Sequence, residues 1–478
     1  MSNKKLKVIM LSAEVAPFAQ TGGLGDVIGS LPKALARANC DVRIIMPLYG
    51  SINRRKYKIK KIITGITICA SGRKRKINIW VSFLPGSRVR IYFIEAPYYF
   101  GSQKIYTASG NSERFLFFSL SCLHTLPNIG FRPDIIQCHD FHTALAIDLL
   151  KVMSISYFKD TKTVFTIHNL NYQGRTGIEV LSTGGLSKDS LRSLAIDARD
   201  GDINFMVQGI INADAVNTVS PTYAREMRLK SYGAGIAKVI CRNKRKIIGI
   251  LNGIDTEFFN PAANKLIKQK YNIKTLNKKT ANKLYLQKLL RLPIDGQIPV
   301  IGFISRLVWQ KGVDLITEKL LSDIEAQFVF LGQGHKQYER YLRNLASRFP
   351  RKVSVNIKFD AKLAQAIYGG ADIMLIPSRF EPCGLVQMIA MRYGTVPIVR
   401  ATGGLKDTVI DYNKRQANGF TFKEISAKAL IKILQKALDI YYNHPKIWRQ
   451  LQINGMSQDF SWSNSALEYF KLYKKLLE

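Results

Sequence analysis

The chain has 478 residues, too many for one ordinary hydrophobic core, so length alone predicts two to four domains. Its 46% hydrophobic content and only 16 prolines exclude a disordered chain, and no long uncharged apolar stretch indicates a membrane-spanning helix. Lys and Arg number 71 against 34 Asp and Glu, and the resulting formal charge of +37 favours an anionic substrate.

Two readings of that charge compete: a polyanion-binding surface, or a Lys-rich bias laid over a solvated one. Basic residues cluster at Arg54-Arg55-Lys56, Arg73-Lys74-Arg75-Lys76 and Arg242-Asn243-Lys244-Arg245-Lys246, in turn-like segments. The excess runs the whole length without a nucleic-acid module carrying stacking aromatics, so no specific nucleic-acid site and no membrane partner are expected. The six cysteines (Cys40, Cys69, Cys122, Cys138, Cys241, Cys383) are scattered, with no close pair of metal-ligand spacing. They read as reduced thiols of a cytoplasmic protein. Met1-Ser2-Asn3-Lys4-Lys5 runs directly into an apolar segment, leaving no room for a signal or transit peptide.

In chain order, residues 8–13 form a strand, followed by Gln20-Thr21-Gly22-Gly23-Leu24-Gly25-Asp26 and a helix over 24–37, which Pro32 must kink or open. Residues 42–46 are the next strand, and 60–69, 77–83 and 89–95 a β meander. Residues 113–126 are helical. The strand 134–138 ends at His139-Asp140-Phe141-His142, and the strand 163–167 at His168-Asn169. The pattern restarts with strands at 300–304, 327–331, 373–376 and 396–399. A last amphipathic helix, 464–477, carries Leu467, Phe470, Tyr473 and Leu477 near helical spacing. Alternating strands and helices imply parallel sheets, hence two doubly wound α/β halves that meet between residues 247 and 260.

Ligands of such sheets bind beyond the carboxyl ends of strands. Gly22 and Gly23 would let backbone approach a ligand, with the following helix offering its positive end; alternatively they merely make the turn. Asp26 is either part of that site or only a cap. Arg306 and Lys311 follow one strand end and together suit a diphosphate, Arg by a forked contact and Lys as a point charge. Glu381 lies in a second strand-loop-helix segment, where Gly384 and Leu385 offer backbone N–H groups. It caps the helix or accepts bonds from sugar hydroxyls. His139, Asp140, His142 and His168 suggest a metal by count alone, but they sit on two strand ends without the helical spacing of a zinc motif. Cys383 has no nameable base, so packing outranks a nucleophilic role. Two such sites in two halves suggest two facing domains with a nucleotide-sugar between them.

These segments together resemble the bacterial and plastid glycogen and starch synthases. The similar stretches run end to end: residues 12–18 with the Gly-rich loop, 139–142, 166–170, 218–223, 249–255, 305–307, 310–312, 377–385, 402–405 and 459–462. The resemblance implies a GT-B fold of two Rossmann-like domains facing a deep cleft. It implies an acceptor-side domain over 1–250, a donor domain over 251–460, and a helix over 461–478 returning to the first. It also implies retaining transfer of glucose from ADP-glucose to an α-1,4-glucan, with no metal or cofactor. By the same resemblance, Arg306 and Lys311 hold the diphosphate, Glu381 the sugar, and His168 is the active-site histidine. Asp140 lies near the acceptor with Phe141 and His142. Residues 20–26, Asn169, Cys383, Gly384 and Leu385 belong to the donor site.

Three departures stand out. The family's loop begins with Lys where this chain has Gln20, removing a charge near the donor phosphates. Phe141 replaces a usual Trp. A second carboxylate found in many retaining relatives falls on Ile389. The rivals are a UDP-glucose user, and a catalytically weakened homologue that binds glucan or polyanion.

Overall fold

The computed structural model describes residues 5–107 and 109–478, so the expectation drawn from Met1–Lys4 about the chain's start lies outside the described residues. The chain divides into two units. The first comprises the residues up to Gly253 together with Trp462–Glu478, and the second Ile254–Ser461.

Nine strands form the first unit's main sheet: β1 (Leu6–Leu11), β2 (Cys40–Pro47), β3 (Lys60–Ala70), β4 (Arg73–Phe83), β5 (Arg90–Glu95), β6 (Ile135–His139), β7 (Lys162–Ile167), β8 (Ala215–Thr218) and β9 (Ile247–Gly249). Their order is β9-β8-β7-β6-β1-β2-β5-β4-β3. All pairs from β9 to β5 are parallel, and the expected meander adds β4 and β3 antiparallel at one edge. β6 is buried at every residue, as a strand covered on both faces must be. The Arg73–Lys76 cluster opens β4 rather than sitting in a turn.

The second unit has six strands: β10 (Val300–Ile304), β11 (Gln327–Leu331), β12 (Val353–Asn356), β13 (Ile373–Ile376), β14 (Val396–Arg400) and β15 (Phe420–Phe422). All pairs are parallel, in the order β12-β11-β10-β13-β14-β15. This is the doubly wound order 3-2-1-4-5-6 of dinucleotide-binding sheets. Phe303, Phe328, Phe330 and Leu375 pack under Leu430, Leu434 and Trp448 to form its core. The sequence reading names neither β8 and β9 nor β12 and β15, each only three or four residues long.

Among the helices are α1 (Gly23–Arg37), α2 (Asn111–Asn128), α3 (Phe141–Met153), α4 (Val386–Arg392) and α5 (Trp462–Leu477). α1 runs on through Pro32 to Arg37. α5 corrects the expected apolar face in part: Tyr473 is buried as expected, but Leu467 is 52% and Leu477 40% exposed, and Trp462, Ala466 and Tyr469 are buried with Tyr473 instead. The tyrosine hydroxyls decide the orientation. Tyr469 accepts from Asn217 Nδ2 at 2.9 Å, and Tyr473 donates to Gln137 Oε1, so α5 turns polar-tipped rings into the first unit's core. Among the described residues no helix is long and apolar enough to cross a membrane.

Candidate active site

Among the parallel strands of each sheet the strand order reverses once, between β1 and β6 in the first unit and between β10 and β13 in the second. Every sequence-predicted site residue follows one of these four strands, the adjacent β7, or the start of a helix behind them.

The loop between β1 and α1 is built around Glu14, a buried carboxylate. It accepts hydrogen bonds from the backbone N–H of Thr21 (2.6 Å) and Gly22 (3.1 Å), from Thr21 Oγ1 (2.7 Å) and from the Tyr106 hydroxyl (2.5 Å). Two of the loop amides expected to face a ligand are therefore taken up by Glu14. The Gly23 N–H is a first-turn donor without an intrahelical partner. Neither Gly22 nor Gly23 has a positive φ, and a Cβ on either would meet nothing within 4 Å. The turn does not require them, so their smallness serves open space in front of the loop. Gly25 and Gly29 differ. A Cβ there would lie 2.8 Å from Gln20 Cγ and 2.9 Å from the Ala16 carbonyl oxygen, so packing demands glycine. Gln20 donates through Nε2 to Asp26 Oδ1 at 2.7 Å and to the Gly22 carbonyl at 3.3 Å. Asp26 is thus a partner for Gln20 inside the loop, and burial, against that bond, raises its carboxyl pKa.

At the ends of β6 and β7 the residues form a tight polar cluster. Asp140, with φ +55°, sits in a backbone region that costs a non-glycine residue on the order of 1–3 kcal/mol, a cost that clusters at functional sites. Its Oδ1 accepts from the backbone N–H of His168 (2.7 Å) and of Asn169 (3.4 Å), fixing the loop after β7. Burial pushes Asp140 up to about 7 despite those bonds. The Tyr223 hydroxyl accepts from the Leu170 N–H at 3.2 Å and secures the same loop. His139 Nδ1 lies 2.9 Å from His168 Nε2. The two rings meet each other, not a shared ion, and no group of three or more His, Cys, Asp or Glu among the described residues is placed to hold a metal. Burial holds His168 and His142 down to about 3. His142 lies between Tyr106 (ring centroids 5.3 Å apart) and Phe141 (3.9 Å). Gly174, with φ +67°, touches Phe141 so closely that a Cβ would come within 2.4 Å of its ring.

In the second unit the reversal between β10 and β13 holds a cavity of about 80 Å³, lined by Ser305, Lys311, Ser378, Glu381, Gly384 and Gln387 among others. Lys311 Nζ is 2.5 Å from Glu381 Oε2, and Ser378 Oγ donates to the same oxygen at 2.9 Å. The Lys311 and Glu381 side chains are only 16% and 10% exposed, so each is the other's main counter-charge. Glu381 does not cap α4. The helix N-cap is Leu385, without a side-chain cap bond, and Gly384 takes φ +74° just before it. Arg306 is exposed, and its guanidinium bonds to no described residue, which leaves it open to an anion. Gly312, with φ +71°, lies against the Pro377 carbonyl, where a Cβ would come within 2.4 Å, and locks the turn after Lys311 to the end of β13. Cys383 is buried and its carbonyl accepts from Gln387 Nε2 at 3.1 Å, consistent with a backbone role.

Sequence reasoning assigns no role to several residues that hold this site. Gly403 and Gly404 press on the loop that carries Glu381, where a Cβ would come within 1.8 Å of the Glu381 carbonyl and 2.1 Å of that of Cys383. The buried Arg400 donates through Nε to the Ser378 carbonyl at 2.9 Å. Glu14 and Tyr106 grip the first loop. The paired glycines 403 and 404 were the only signal available, since buried Arg and Glu partners are set by long-range contacts.

Residues 7–242 match the starch synthase catalytic domain family, and residues 290–451 the glycosyl transferases group 1 family. The glycogen synthase of Thermotoga maritima is 43% identical over 99% of this chain and 99% of its own. That of Thermosipho melanesiensis is 41% identical over the same shares. The catalytic domain of starch synthase IV from Arabidopsis thaliana, solved with ADP and acarbose, superposes with a TM-score of 0.91 at 35% identity, covering 99% of both chains. These relatives do not favour a non-catalytic homologue.

Proposed function

We propose, for a chain that belongs to the glycogen and starch synthase family, that its donor is ADP-glucose and its acceptor the non-reducing end of an α-1,4-glucan, joined with retention of configuration. The observation that carries this reading is the Lys311–Glu381 pair, largely buried at the carboxyl end of the central strands of the second unit, with the exposed Arg306 five positions before Lys311 in the segment that follows β10.

The bond from glucose C1 to the diphosphate oxygen breaks, which leaves positive character on the sugar ring and negative charge on the departing ADP. Arg306 and Lys311 meet that negative charge. Preorganised groups of this kind contribute roughly 3–4 kcal/mol each to a transition state. Glu381, fixed by Lys311 and Ser378, orients the sugar and favours the positive ring. The glucan 4-hydroxyl adds to C1 on the face the phosphate leaves, and its proton passes to the departing phosphate oxygen. His168 orients the glucosyl group, and Asp140 holds His168 and Asn169 in place through their backbone N–H groups. Gln20, Gly22, Gly23 and Asp26 shape the loop on the donor side, while Phe141 and His142 serve the acceptor. Charge on the leaving group is met by side chains, so the scheme includes no metal or cofactor.

The test is incorporation of labelled glucose into glycogen from ADP-glucose and from UDP-glucose, side by side. Faster incorporation from ADP-glucose is expected. Preference for UDP-glucose would overturn the donor assignment, and no incorporation from either would overturn the reaction.

A further inference from the structure

His139 has no part in the scheme above, yet it is fully buried and touches His168 directly, Nδ1 to Nε2, at 2.9 Å. β6 and β7 set this contact. They pair in parallel with His139 opposite Thr166, which brings the last residue of β6 close to the first residue after β7. The Thr143 hydroxyl brackets the His139 backbone, 2.6 Å from its N–H and 3.1 Å from its carbonyl, so the ring is anchored at its base.

Burial keeps both rings neutral at ordinary pH. One proton therefore lies between the two facing nitrogens, and two arrangements are possible. If His168 Nε2 carried it, the second proton-bearing nitrogen of the pair would be His139 Nε2. That atom is buried and has no hydrogen-bond partner. Either kind of atom left unpaired in the interior costs its desolvation, but orphaned N–H donors are the rarer of the two in folded proteins, which favours the arrangement that leaves His139 Nε2 bare. If instead His139 Nδ1 carries the proton and donates to His168 Nε2, His139 Nε2 is bare and His168 must hold its own proton on Nδ1. His168 Nδ1 bonds to no described residue and is not among the fully buried unpaired atoms.

We infer that His139 is a positioning residue that holds His168 in the Nδ1–H tautomer, so that His168 presents a hydrogen-bond donor, not an acceptor, to the bound glucosyl group. This rests on the reading of His168 as a substrate-facing residue. The recognised feature is then an oxygen of the sugar acting as acceptor, and loss of His139 frees the imidazole to flip its tautomer and turn.

Ring nitrogen–proton spectra of ¹⁵N-labelled protein read the tautomer directly. A protonated Nδ1 and a bare Nε2 on His168 are expected, and the reverse assignment would overturn the inference. His139→Asn keeps an N–H near the Nδ1 position, and its kcat is expected to stay within about threefold of wild type. His139→Leu removes that donor and should lower kcat about tenfold, the loss of one hydrogen bond, with KM for glucan little changed and the His168 tautomer shifted. An unchanged tautomer and unchanged kcat in folded His139→Leu would also overturn it. If that variant does not fold, His168→Asn, which places its amide nitrogen near Nδ1, is expected to outperform His168→Gln, which places it near Nε2; the opposite ranking refutes the tautomer. A fully active His168→Ala would instead refute the substrate-facing role, while the wild-type spectrum still decides the tautomer.

Discussion

Replacing Gly23 with Ala separates what the β1–α1 loop does for the fold from what it does for a ligand. Gly23 is the first residue of α1, its φ is not positive, and an added methyl meets no atom within 4 Å. A Gly→Ala change at such a position stabilises by about 0.4–1 kcal/mol, because the unfolded chain loses freedom and the folded one loses nothing. For a unit of this size that raises its melting temperature by roughly 1–4 °C. The same methyl stands in the open space that a phosphate would enter to reach the Gly23 N–H. A lost hydrogen bond to a charged group costs about 1.5–3 kcal/mol, or roughly 10- to 150-fold in kcat/KM for ADP-glucose. Gly29→Ala is the converse. Its methyl would meet the Ala16 carbonyl oxygen at 2.9 Å, so destabilisation of about 1–3 kcal/mol is expected, with kcat per folded molecule nearly kept. Thermal melting and steady-state kinetics on the two variants read both axes. Activity of Gly23→Ala within twofold of wild type would refute the argument that the loop is open for a ligand.

Lys311→Ala and Glu381→Gln are each expected to lower turnover by about 100-fold while the protein stays folded, and the double variant should lose far less than the product of the two, because the pair acts as a unit; additive losses would show that they act separately. Gln20→Lys should raise activity with ADP-glucose by no more than about tenfold, read as KM and kcat, since the new ammonium sits against Asp26, which now accepts from Gln20 at 2.7 Å, and is partly neutralised there. No gain at all would remove charge from the role of this position. Asp148, fully buried and pushed up to about 7 by burial, is more protonated in the folded than in the unfolded chain between about pH 4 and 7. The folded state therefore binds the extra proton, and stability relative to Asp148→Asn falls as pH rises through that window and levels off above it. Denaturant melts of both proteins at pH 4.5, 6 and 7.5 check the sign, and a difference that grows with pH would contradict it.

Much of this molecule is readable from its residues. β10, β11 and β13 have the bounds expected at 300–304, 327–331 and 373–376, because each is an apolar run cut off by Ser305, Gly332 or Pro377. The polar residues that follow such runs, Asp140, Lys311 and Glu381 among them, fall at the two points of strand-order reversal, and His168 falls at the end of the adjacent β7. What was not legible is how they are held. That Lys311 pairs with Glu381, 70 positions on, or that Glu14 takes up two loop amides with Tyr106 from 92 positions away, depends on contacts that no local pattern encodes. α5 reads as a helix and Tyr473 lies on its inward side as expected, but Leu467 and Leu477 are exposed and Tyr469 is buried, because the two tyrosines have interior hydrogen-bond partners.

The return of α5 to the first unit has a consequence for how the protein is made on the ribosome. The first unit is interrupted after Gly253 and completed only from Trp462, with residues 254–461 between. Until α5 emerges, Gln137 and Asn217 lack the tyrosine hydroxyls that satisfy them, and α1 lacks the helix it packs against. At about 5–20 residues per second, translation of the intervening stretch takes roughly 10–40 s. Throughout that interval the nascent first unit exposes a wet seam beside β6 and β8, and the second unit, contiguous in sequence, has all of its residues only as the interval ends. A message truncated at codon 462 therefore yields a polypeptide that carries every residue of the second unit but lacks the helix that completes the first.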